Sequence, residues 1–111
     1  MRVGILLLSL MTVSGSCLAL EQQGLPQAAT DMGCFRCHGM DSAIAGPSWR
    51  DIAKRYRGKG DDPATIKQLV AAASQGSAGN WGNLPMLAND PAGKRKDKIE
   101  EVVKFVVHLP E

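Results

Sequence analysis

Residues 34–38 read Cys-Phe-Arg-Cys-His, and no other string in the chain limits its fold as much. Two thiols two residues apart can each form a thioether with a vinyl group, and the imidazole that follows is then held beneath the ring so attached. C-x-x-C-H is in this way the attachment signature of a c-type haem. Haem iron needs a soft or imidazole donor on each face for reversible one-electron chemistry, and His38 supplies one. At 111 residues with 5% aromatics, the chain is one small domain whose modest core a large apolar cofactor would complete.

Met1-Arg2, an apolar run from Val3 to about Val13 and then small residues read as a secretory leader, too short to span a membrane. Cleavage is expected after Ala19, which gives a leader over 1–19 and one haem domain over 20–111. A lipid anchor on Cys17 is the weaker alternative, because Ser14-Gly15-Ser16 lacks the apolar residue usual three places before such a cysteine. Loss of Cys17 leaves Cys34 and Cys37 alone, so no structural disulfide is available to an exported chain and the pair needs another use. Thirteen basic against 11 acidic side chains make no case for nucleic acid. Two basic groups, Arg50 to Lys59 and Lys94 to Lys98, read as solvated helix faces in preference to a docking patch.

Four short helices are expected, and no strands. Pro26 opens the first, which runs to about Met32. Ser48 with Asp51 three residues on caps a second over Trp49 to about Arg57, closed by Gly58 and Gly60. Asp62-Pro63 starts a third, in which Ile66, Leu69, Val70 and Ala73 recur at helical spacing up to Gly76. Ser77 to Asn89 carries Gly79, Gly82 and Pro85 and reads as a loop. The last helix is expected over Lys94 to His108, with Ile99, Val102, Val103, Val106 and Leu109 on one stripe despite the β-branched run. Helices this short bury little against each other but enough around a haem.

The second axial donor is expected far along the chain. Met40 is too near His38, and Met32 lies on the helix leading into the attachment site. Met86 follows Pro85 in the long loop, and a thioether binds both iron oxidation states while favouring the reduced one. His108 fits the last helical turn, where a partly positive ring suits the dipole, and is only a remote alternative ligand.

From Gly33 onward the chain resembles the small bacterial class I cytochromes c, the short-loop electron carriers of periplasmic respiratory chains. The matching pieces are Gly33-Cys34-x-x-Cys37-His38, Gly46-Pro47-x-Trp49-x-Asp51, Ser74-Gln75-Gly76, Trp81-Gly82-x-x-Pro85-Met86 and Asn89. The resemblance implies an all-α fold wrapped around one covalent haem c, with His38 and Met86 on the iron. It implies further that the Pro47 carbonyl accepts from the His38 ring, that Asn89 bonds the Met86 sulfur, and that the Trp81 indole N–H meets a haem propionate. Trp49 and Phe105 are expected in the core beside the haem. The implied partners are a redox donor and acceptor in the periplasm, for a monomer without a membrane span. Ala28 and Ala29 depart from the family, which places a bulky residue on that helix face; the Ser77–Asn80 and Asp90–Lys96 stretches are longer than usual.

Other classes fit less well. Zinc would need two ligands beyond Cys34 and Cys37, with only His38 and His108 to offer, and a redox C-x-x-C belongs in a βαβ context. An open-site sensor or enzyme needs an exchangeable sixth position that Met86 would fill. A haem subunit of a larger oxidoreductase complex stays open.

Overall fold

The computed structural model describes residues 24–111, so the leader expected over 1–19 lies outside the described residues. Helix α1 spans Gln27–Asp31, α2 Trp49–Arg55, α3 Pro63–Gln75 and α4 Lys96–Val107, and a single 3-10 turn covers Cys34–Arg36. No strand occurs among the described residues; extended backbone pairs only at His38 with Ala43 and at Ser77 with Met86.

The starts of α2 and α3 follow from their caps. Asp51 N–H donates to Ser48 Oγ at 3.1 Å, and the Ser48 hydroxyl donates in turn to Asp51 Oδ2 at 2.7 Å. The carboxylate thus bonds the capping hydroxyl, where a reciprocal box would bond the capping backbone N–H. Asp62 Oδ2 accepts from both Thr65 N and Thr65 Oγ1, with Pro63 in the first turn. Helix α4 begins two residues later than its composition predicts. The buried Asp90 carboxylate takes the N–H groups of Lys94 at 3.0 Å and Arg95 at 2.8 Å, which holds both in the turn before the helix.

Helix α4 is the hub, touching α1, α2 and α3. Val102 and Val106, one turn apart, pack with Ala28, Ala29 and Trp49, flanked by Phe35 and Phe105. Ile99 and Val107 face Ile66 and Val70 of α3 in a second cluster. Two apolar stripes on one helix explain why Val107, absent from the expected stripe, is buried while Val103 and Leu109 are only half-buried. Phe35, Trp49 and Phe105 form an aromatic row with centroids 4.7 Å and 6.0 Å apart, the second pair edge-on as ring quadrupoles favour. Ala29 is fully buried, so its small side chain is what the α1–α4 approach requires, and a bulky residue there would overpack it.

The first basic group is partly spoken for. Arg50 pairs with Asp41 and Arg57 with Glu111 at 2.9 Å, both at the surface, where such pairs contribute little. Lys54 and Lys59 are exposed, as the solvated-face reading expects.

Candidate functional site

The C-x-x-C-H segment is built from the end of α1. Gly33, at φ +67°, turns the chain in a left-handed conformation that suits glycine, and the 3-10 turn begins at Cys34. Cys34 is half-buried and Cys37 exposed, and both are free thiols. Burial pushes the Cys34 thiol above its ordinary value.

His38 N–H bonds back to Cys34 O at 3.1 Å, and Gly46 N–H to Cys37 O at 2.9 Å, so the loop folds under its own start. The His38 ring is 8% exposed. Its Nδ1 lies 2.7 Å from Pro47 O, a carbonyl that can only accept. The ring therefore carries a proton on Nδ1, so that in the neutral imidazole Nε2 holds the lone pair. Such an outer bond fixes the tautomer and raises the basicity of the ligating nitrogen. Sequence reasoning missed the part of Gly46: a Cβ there would stand 2.6 Å from His38 Cε1, so only glycine lets the ring lie where it does. Two more bonds, Trp49 N to Gly39 O at 2.9 Å and Arg50 N to Met40 O at 3.1 Å, tie the start of α2 to this segment.

Met86 sits half-buried in the 77–89 loop, paired with Ser77 by reciprocal backbone bonds of 2.8 and 3.0 Å. Gly76 precedes that pairing at φ +85°, ψ 163°, a region essentially closed to other residues, and a Cβ there would meet Met86 O at 2.8 Å. Asn89 has other partners than the family pattern implies. Its Nδ2 donates to Ala73 O at 3.0 Å and Leu87 O at 3.2 Å, so it fastens the loop to the end of α3, and no bond to the Met86 sulfur is made. Trp81 is 40% exposed, with the Arg55 guanidinium 4.4 Å above its ring. His108 is engaged elsewhere: Nδ1 bonds Lys104 O at 2.6 Å and Nε2 lies 3.1 Å from Asp61, two contacts that raise its pKa.

The donor set fits a haem of the c type. Two free thiols stand beside an imidazole whose Nε2 is oriented and free, and a thioether is held in a separate loop. Among the described residues four large hydrophobic side chains remain exposed, Ile44, Trp81, Leu84 and Leu87, with Leu87 reaching 77%. All four lie on the two loops that carry His38 and Met86, where an apolar ring would cover them.

Comparison with known proteins agrees with this geometry. The cytochrome c family model matches residues 26–110. Cytochrome c-551 of Allochromatium vinosum is 43% identical over 79 residues, covering 71% of this chain and 76% of that protein. Cytochrome c2 of Rubrivivax gelatinosus is 33% identical over 76% of this chain and 95% of that one. The crystal structure of wild-type cytochrome c552 from Nitrosomonas europaea superposes with a TM-score of 0.65 at 25% identity, over 76% of this chain and 98% of that one. A free C-x-x-C-H segment, a four-helix frame around it and relatives of this similarity together place the chain in the cytochrome c family, as an all-α protein that carries one covalently bound c-type haem with its iron.

Proposed function

We propose that Cys34 and Cys37 hold the haem, that His38 Nε2 and Met86 Sδ ligate its iron, and that the protein is a periplasmic one-electron carrier between larger respiratory redox proteins. It works as a monomer over residues 20–111 after loss of the leader and turns over no substrate. The haem supplies the exchange of a single electron at iron; the chain supplies ligands, dry surroundings and a surface for partners.

The observation that carries the reading is the 2.7 Å contact between His38 Nδ1 and Pro47 O. A ring protonated at Nδ1 and pinned by the backbone has one use left for Nε2, as a fixed donor. Met86 suits the opposite role: a neutral thioether favours reduced iron and raises the potential. Asn89 acts on Met86 by anchoring the backbone three residues beyond it, through Ala73 O and Leu87 O. Trp81 belongs to the same loop, and its indole N–H would meet a haem propionate.

The deciding experiment is the optical spectrum of matured protein, oxidised and reduced, with a denaturing gel for covalent haem. A low-spin reduced spectrum and the weak far-red ferric band of sulfur ligation are expected. Met86→Ala should keep its haem, lose that band, drop in potential and bind carbon monoxide. An unchanged potential with no carbon monoxide binding would sink the ligand assignment.

A further inference from the structure

We propose that Arg55 is a positioning residue for Met86, a clamp that reaches from the end of α2 and holds the tip of the 77–89 loop in place. The inference rests on Met86 being the distal ligand and goes beyond it by naming what keeps that ligand on.

The loop tip is weakly held by its own backbone. Ser77 and Met86 close the base with two bonds, but among the described residues positions 78–85 make no backbone bond to the rest of the protein. Gly79 and Gly82, at φ +78° and +109°, sit in this stretch with open space around them, so the tip gains no stiffness from packing there. One outside side chain hydrogen-bonds to these positions. Arg55 Nη1 donates to Asn80 O at 2.6 Å, and the same guanidinium lies over the Trp81 ring at 4.4 Å. A planar guanidinium can donate along its edge and stack with its face at once, which a lysine ammonium cannot reproduce.

The other end of this connection is firm. Arg55 closes a helix whose Ser48 cap is buried and whose first residues bond to Gly39 and Met40, next to His38. Arg55 is thus the side-chain link between the segment carrying one donor and the loop tip leading to the other. When it lets go, the tip is tethered only at the Ser77–Met86 pairing, whose two backbone bonds then open more often, and the sulfur spends more time away from its position.

Entry of an added ligand reads this opening directly. On matured ferric protein, the limiting rate of imidazole binding would be compared for wild type, Arg55→Met, Arg55→Lys and Lys54→Met, with the far-red sulfur band followed in each. Arg55→Met should admit imidazole about tenfold faster, since an exposed cation–π contact and a charged hydrogen bond are lost together, and Arg55→Lys a few-fold faster, since its ammonium can keep one of the two but not both. Lys54→Met, which removes a neighbouring exposed charge, should match wild type. Should Arg55→Met fail to mature, Arg55→Lys carries the comparison, because it keeps charge and stem. Wild-type rates in the Arg55 variants, with the sulfur band present, overturn the clamp and leave Met86 ligation standing. A wild type without the band overturns the ligand reading, and the clamp with it.

Discussion

The two loops that carry His38 and Met86 are held by opposite strategies. On the His38 side everything is local: the ring bonds a carbonyl nine positions away, leans on Gly46, and is 8% exposed. On the Met86 side the ties come from distant elements. Ala73 of α3 accepts from Asn89, Arg95 donates to Asn89 O, Arg55 reaches Asn80 from α2, and exposed Trp81, Leu84 and Leu87 line the loop. A short-range arrangement survives as long as its own few residues do. A long-range one depends on the whole fold, so the Met86 side is where partial unfolding should begin.

Two glycine substitutions test the contrast most severely. Gly76→Ala combines a backbone region closed to alanine with a clash against Met86 O. It should cost about 3 kcal/mol and abolish the far-red sulfur band before helix content is lost, as followed by denaturant titration at that band and in the far-ultraviolet. Gly46→Ala pushes a methyl into the His38 ring without backbone strain, and should cost about 2 kcal/mol in the same titration. Here the sulfur band should persist until global unfolding. Coincident loss of band and fold in both variants would erase the distinction between the loops.

Asp90 gives a gentler probe of the Met86 side. Asp90→Ala frees the N–H groups of Lys94 and Arg95, which water can reach, and should cost about 1 kcal/mol in thermal stability. The loss should be larger at the sulfur band than in helix content. His108 should have the smallest effect and serves as an outgroup. Lys104 O and Asp61 raise its pKa in the folded state, so its contribution is complete below the ordinary imidazole value and fades as pH rises through the raised one. The expected signature is a slight fall in melting temperature across that window, diminished by salt because the ring is exposed, and absent in His108→Gln.

Much of the frame was legible in the sequence because it is written in short-range chemistry. Ser48 and Asp62 announce their helices through caps, and C-x-x-C-H announces a c-type haem through bonding needs that no neighbouring element can alter. What escaped was set by distant contacts. Nothing near Gly46 or Gly76 says that an imidazole or a carbonyl will lie within 3 Å of a missing methyl. Asn89 was expected at the Met86 sulfur and instead serves two carbonyls, one supplied by α3. The basic run near Arg55 read as a solvated face, yet one of its members reaches across to Asn80 and Trp81. The start of α4 shifted because Asp90, outside the helical pattern, claims two of its expected N–H groups.

The close seat of α1 on α4, made through Ala28 and Ala29, joins the first described helix to the last. Such a contact closes nearly the full length of the domain in one loop, so its entropy is spent late and folding cannot finish until the final residues have arrived. A chain threaded through a membrane from its front end would present Cys34 and Cys37 well before Met86 or Val106 could emerge. The order of synthesis thereby leaves an interval in which both thiols are accessible and no finished fold stands in the way of their derivatisation.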